Sequence, residues 1–226
     1  ITWDSTWESE YREVHQKAAV LYRKQARFKL ITTGKISQKN LLFEEQHIER
    51  LRKASRYFAF PFDSENLKQK IEEECQACDA NQDYRLHISL DKSGEIEVDR
   101  QVLTALSPSF CQAKLCLQEA NLQQAFIYFK TTHRPHLSIG EQEIIYHNKS
   151  GELLETSIGN LVLKISGKLY TPPIRLGILP GIYRQLLLET GQVEERVLTL
   201  KDLARAEAIY GCNAVRGLYE LSVREN

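Results

Sequence analysis

From Lys114 onward the chain breaks into short apolar runs separated by turn residues, a pattern that restricts this half to a strand-rich layer. Strands are predicted at Lys114 to Leu117, Phe126 to Lys130, Gln142 to His147, Leu153 to Thr156, Leu161 to Ile165 and Lys168 to Thr171. Turns fall at Lys149-Ser150-Gly151 and Ser166-Gly167, and helices are predicted again near Gly181 to Thr190 and Leu200 to Ala208. The preceding half reads differently. An amphipathic lead-in helix is expected from Glu8 to Gln25, then a strand at Phe28 to Thr32, a turn at Gly34 and a strand at Leu41 to Phe43. A helix follows from Glu44 to Phe58, with Ile48, Leu51, Ser55 and Phe58 on one face. Another helix near Glu65 to Cys78 precedes a hairpin of Tyr84 to Leu90 and Glu95 to Val98. The expected fold class is α/β (α+β) in two units, a small α/β unit over residues 27–120 and a larger strand-rich unit over 121–226. Residues 1–26 form a segment apart from these units.

Charge and composition exclude several function classes. Thirty basic and thirty acidic residues cancel, and no basic cluster, Arg23 to Lys29 included, is long enough to track a phosphate backbone. Nucleic acid is therefore not an expected partner. No run approaches the roughly 18 apolar residues of a membrane span, and Ile1 to Arg12 is too polar for a secretory signal, so no membrane association and a cytoplasmic location are expected. Five cysteines, an odd count, point to reduced thiols. Cys75 and Cys78 form a CxxC, but late in a polar helix and without a second pair or two histidines at ligand spacing. His15, His87, His133, His136 and His147 are scattered over different elements, so no metal is expected. There is also no Gly-x-Ser-x-Gly or Walker-type loop.

Lys130 is the residue with the clearest chemical potential. It ends the apolar run Ala125-Phe126-Ile127-Tyr128-Phe129. Desolvation there lowers a lysine pKa, and a partly neutral amine is what carbonyl condensation and proton abstraction need. Taken alone, a strand-end lysine more often reaches out to water. Further along stand Gly151-Glu152-Leu153-Leu154-Glu155-Thr156-Ser157-Ile158-Gly159-Asn160, then Thr171-Pro172-Pro173, then Gly177-Ile178-Leu179-Pro180-Gly181-Ile182-Tyr183-Arg184. The last of these opens a helix behind Pro and Gly, presenting free backbone N–H groups to an anion.

The order lysine, glutamate with a downstream asparagine, Thr-Pro, then Gly-x-Leu-x-Gly-Ile-x-Arg resembles the fold-type-IV pyridoxal-phosphate enzymes, the branched-chain aminotransferase and aminodeoxychorismate lyase family. The likeness runs from about Phe28 to the C-terminus, and His47-Ile48-Glu49-Arg50-Leu51 is similar to the family's His-x-x-Arg-Leu helix. It implies two domains with pyridoxal 5'-phosphate between them. Lys130 would carry the cofactor, Arg50 would grip its phosphate, and Glu155 would face the pyridine nitrogen, with Asn160 beside it. The backbone amides of Ile182 and Tyr183 would also hold phosphate. A homodimer is implied as well.

Flanking residues lean toward one reaction. Phe129-Lys130-Thr131-Thr132-His133-Arg134 is similar to the His-Lys-Thr-Thr-x-Arg run of lyase domains fused to aminodeoxychorismate synthase component I. Cys212-Asn213-Ala214-Val215-Arg216-Gly217 resembles their Asn-Ser-x-Arg-Gly, and Ile1 to Ser5 looks like the end of a chorismate-utilising synthase component, a likeness that makes residues 1–26 a linker strand and helix. The resemblance thus implies a 4-amino-4-deoxychorismate lyase releasing pyruvate and 4-aminobenzoate, with Arg134 and Arg216 for the substrate carboxylates. Departures from the relatives fall at Lys29, Thr32, Phe129 and Ala214. Two other readings stand beside it: an aminotransferase of D- or branched-chain amino acids, and a decayed domain that stabilises a synthase partner.

Overall fold

The computed structural model describes residues 27–118 and 124–223, together with Thr6, Trp7 and Tyr11. The expected lead-in helix lies almost wholly outside the described residues.

The first sheet is antiparallel, in the order β2-β1-β3-β4. Its strands are β1 (Leu30–Ser37), β2 (Asn40–Leu41), β3 (Tyr84–Leu90) and β4 (Ile96–Val102). Gly34 does not turn the chain as expected: β1 runs through it, and the turn comes at Gln38 and Lys39, both left-handed. Glycine is needed there for close packing, because a Cβ would lie 2.7 Å from Leu41 Cδ1 and 2.8 Å from His47 Nε2. Helices α1 (Glu44–Phe58) and α2 (Ser64–Gln76) cover one face. Asp63 starts α2 by accepting from the amides of Glu65 (3.0 Å) and Asn66 (3.1 Å). Ile48, Leu51, Leu67 and Ile71 from the helices bury Leu30, Ile36, Leu86, Ile88 and Leu90 from the strands. Because side chains alternate across a strand, Thr33, Arg85 and His87 lie on the opposite, helix-free face.

The second sheet closes on itself. Its strands are β5 (Gln112–Leu117), β6 (Ile144–His147), β7 (Leu153–Thr156), β8 (Asn160–Ile165), β9 (Lys168–Thr171), β10 (Glu194–Glu195), β11 (Ala208–Asn213) and β12 (Gly217–Val223). The order is β10-β9-β8-β11-β12-β5-β6-β7, and β7 also pairs with β8, so six strands form a ring with β9 and β10 outside it. The ring's interior is apolar, built on Ala113, Ile145, Leu153, Leu161, Leu163 and Leu221. β5 belongs to this ring, so the change of sheet falls between Val102 and Gln112, upstream of the boundary expected near Ala120. β11 and β12 were not expected as strands, and α5 (Leu200–Ala204) is correspondingly shorter than the helix expected to Ala208.

One expected strand is replaced by a helix. Residues Gln124–Tyr128 form a short helix, α3, and Lys130 follows it in an extended segment. Aromatic residues favour strands by propensity, but packing decides a run of this length. Phe126 and Phe129, three apart, both pack on Phe58, with centroids at 5.7 and 5.5 Å. Thr131 then forms an isolated bridge with Leu30.

Candidate active site

Lys130 is fixed from both sides of its backbone. Its carbonyl accepts from the Ile31 amide at 2.9 Å, and the Thr132 amide donates to the Lys29 carbonyl at 3.0 Å. These bonds join the segment from the second unit to the start of β1. The Lys130 ammonium therefore meets the helix-free face of the first sheet, where Nζ donates to Thr33 Oγ1 at 3.3 Å. Burial, then the charges of Arg50, Arg134 and Arg85, hold its pKa well below the ordinary lysine value. An amine in that state is readily neutral.

Glu155 is the counterpart. It is 2% exposed, Oε2 accepts from the Leu179 amide at 3.3 Å, and Oε1 has no partner. Burial pushes its pKa up to about 7, outweighing the nearby Arg134 guanidinium. A buried carboxylate oxygen without a donor is costly unless a ligand supplies one. Arg134 is likewise desolvated, with Nε buried and unpartnered.

A candidate anion site lies next to these groups. Helix α4 (Ile182–Glu189) starts after Gly181 with no side chain capping its first turn, so the amides of Ile182 and Tyr183 are presented outward. Arg50 reaches the same place, donating from Nη2 to the Pro180 carbonyl at 2.6 Å. Burial, with Arg134 second, pushes the Arg50 pKa down to about 10, where a phosphate dianion would be a strongly favoured partner. Asn160 braces the loop from below: Nδ2 donates to the Leu179 carbonyl at 2.8 Å, and Oδ1 lies where a Cβ on Gly181 would be, 2.0 Å away. Tyr183 presents its hydroxyl to Gly217, where a Cβ would lie 3.3 Å from it, and packs edge-on against Phe43.

Arg216 is held by different contacts, and the charge of Arg85 acts on it. It lies in the turn after β11 and donates to the Thr104 carbonyl. The turn itself is held by Asn213 Oδ1, which accepts from the amides of Val215 (3.0 Å) and Arg216 (2.9 Å). The residues that depart from the relatives are also placed. Thr32 lies on the helix side of β1 and its hydroxyl is 2.6 Å from His47 Nδ1, so it does not reach Lys130. Lys29 forms an exposed ion pair with Glu97, Phe129 joins the aromatic cluster of Tyr57 and Phe58, and Ala214 is buried. Among the described residues there is no group of His, Cys, Asp and Glu able to hold a metal.

Thr33 and Arg85 were not singled out from the sequence, and His87 was weighed there only as a metal ligand. The signal for Arg85 and His87 was the alternation of β3 with Leu86, Ile88 and Leu90, but only the fold shows that this face and Thr33 of β1 meet Lys130.

The arrangement fits a pyridine-type aldehyde phosphate. An amine, a phosphate-binding helix start with an arginine, and a buried carboxylate lacking a donor are the three contacts such a molecule requires. The aminodeoxychorismate lyase of Saccharomyces cerevisiae is 30% identical over 126 residues, covering 44% of this chain and 34% of the yeast protein. The match thus spans about a third of that protein, as it does (36%) of a second curated relative. Among solved structures, a hypothetical aminotransferase from Mycobacterium tuberculosis in its PLP-bound form superposes with a TM-score of 0.70 at 16% identity, covering 86% of this chain and 81% of the other. A Legionella pneumophila protein, provisionally assigned as a 4-amino-4-deoxychorismate lyase, gives 0.68 at 22% identity, covering 87% and 83%. At such identities these two likenesses concern the fold. The sequence profile of the family described as Amino-transferase class IV matches residues 29–222, nearly the whole of both sheets, and this chain belongs to that family.

Proposed function

We propose that this chain is a pyridoxal-phosphate-dependent lyase acting on 4-amino-4-deoxychorismate. The observation that carries the reading is the excess of cations around Lys130. Arg134 and Arg85 act on it in addition to the phosphate-side Arg50, while among the described residues Glu155 is the one carboxylate that acts on Arg134. A substrate with two carboxylates balances that excess, and the likeness to the yeast lyase supports the same substrate.

In this mechanism Arg50 and the amides of Ile182 and Tyr183 would hold the phosphate, and Glu155 would hold the pyridine nitrogen. When bound, pyridoxal phosphate withdraws electron density from the carbon beside the substrate nitrogen. Lys130 would hold the cofactor at rest; with the substrate bound, its neutral Nζ would remove the proton from that carbon and, as ammonium, return a proton as pyruvate departs. Burial lowers the pKa of the amine and so favours its neutral, basic form. Arg134 orients a substrate carboxylate, and Arg216 takes the second if its guanidinium leaves the Thr104 carbonyl. A second copy of the chain and a chorismate-utilising synthase component are the partners in this reading.

The test is release of pyruvate and 4-aminobenzoate from enzymatically made aminodeoxychorismate. Wild type is expected to release both in equal amounts and Lys130→Ala neither. Amino transfer from an amino acid to a keto acid, without pyruvate release, would move the assignment to aminotransferase; absence of cofactor binding would leave only a stabilising role.

A further inference from the structure

The helix-free face of the first sheet carries a hydrogen-bond chain that the mechanism above does not use. Thr33 and His87 are Cα partners in the β1–β3 register, and Thr33 Oγ1 lies 3.3 Å from His87 Nδ1 and 3.3 Å from Lys130 Nζ. The Lys130 backbone is held to β1 two residues from Thr33, so this contact is set by main-chain bonds.

We propose that His87 is a positioning residue for Lys130 that acts through Thr33, keeping the lone pair of Nζ turned away from the Thr33 hydroxyl and toward the reacting side. The inference rests on Lys130 being the reacting amine. An ammonium has only donors, so Nζ gives a proton to Thr33 Oγ1. The single hydroxyl proton then goes to His87 Nδ1, which accepts it only if bare, so the ring carries its proton on Nε2. When Lys130 becomes neutral, that same ring holds the hydroxyl proton in place. One Nζ–H continues to point at Oγ1 and the lone pair stays free. Were Nδ1 protonated, the hydroxyl would turn and donate to the lone pair.

The surroundings keep the ring in the accepting state. His87 faces Arg85 on its own strand, Lys130 across from it, and Asp99 and Glu97 on β4. Burial, followed by the two cations, outweighs the two carboxylates and lowers its pKa, so the ring is neutral where the enzyme works.

The test uses the full chain without cofactor, in two arms. In 15N-histidine-labelled protein the His87 ring is expected to show a bare Nδ1 and a protonated Nε2 at neutral pH; a protonated Nδ1 overturns the proposal. In the second arm, labelling of Lys130 by trinitrobenzenesulfonate is followed by peptide mapping. His87→Phe is expected to slow it about tenfold, the effect of one ordinary hydrogen bond on the lone pair. Thr33→Val is expected to abolish that sensitivity, the double variant labelling like Thr33→Val alone, whereas additive effects overturn the proposal. If His87→Phe does not fold, the first arm decides. Neither arm depends on lyase turnover, so a chain that passes both yet releases no pyruvate sinks the lyase reading and leaves this one standing.

Discussion

Glu155 and Asn160 sit directly opposite each other in the register that joins β7 to β8, and this pair closes the six-stranded ring. The same two side chains grip the two ends of one peptide unit's residue: Glu155 Oε2 accepts from the Leu179 amide at 3.3 Å, and Asn160 Nδ2 donates to the Leu179 carbonyl at 2.8 Å. Ring closure and the loop that opens α4 are therefore one construction.

Asn160→Ala removes the buried donor to the Leu179 carbonyl. The expected cost is about 1–2 kcal/mol of stability, the usual cost of stranding a buried acceptor, measured by urea unfolding. Loosening the loop before α4 is expected to weaken pyridoxal-phosphate binding about tenfold in an absorbance titration. Unchanged affinity would show that the α4 amides do not carry the phosphate.

Glu155 makes stability of the cofactor-free protein depend on pH. Its folded pKa, about 7, lies above the ordinary 4.5, so folding favours the protonated form. The contribution is fully present below about pH 4.5 and is lost as pH rises through 7. Relative to Glu155→Gln, wild type is expected to lose on the order of 3 kcal/mol across that window. Unfolding midpoints of the two proteins from pH 4 to 8 check this, and parallel curves would refute it. Glu155→Gln is also expected to cost at least about a hundredfold in turnover, since an amide cannot hold a protonated pyridine nitrogen as a carboxylate does.

Gly159 cannot carry a side chain. A Cβ would lie 2.5 Å from the Cys212 carbonyl oxygen, and backbone cannot step aside as a flexible side chain would. Gly159→Ala is expected to destabilise by about 1–3 kcal/mol by prying β8 from β11 at the Cys212–Asn160 pair. Thermal unfolding measures it.

Arg50→Lys keeps the charge but loses the planar fork that donates to the Pro180 carbonyl and would also reach a phosphate. Affinity for pyridoxal phosphate is expected to fall about tenfold, and affinity for pyridoxal lacking phosphate to change little. Equal losses for both ligands would place Arg50 elsewhere than at the phosphate.

Much of this was legible from residue order. The period of α1, Glu44–Phe58, and the alternation of Tyr84–Leu90 in β3 fix those elements locally, and both stand where expected. Lys130 and the Gly181-Ile182-Tyr183 turn were picked out from the residues themselves, whereas Arg50, Glu155 and Asn160 were implied by the resemblance to the family. What the chain alone left open depended on contacts between distant segments. The run Gln124–Tyr128 is helical because Phe126 and Phe129 both find Phe58, some seventy residues earlier. β11 and β12 are strands because Gly211 lets the Tyr219 ring lie within 2.3 Å of where its Cβ would be. Thr33, Arg85 and His87 join the site only because β1 and β3 turn their helix-free face to Lys130. Local chemistry thus named the reactive groups, while the surface each one meets was decided by which faces the tertiary structure had to bury.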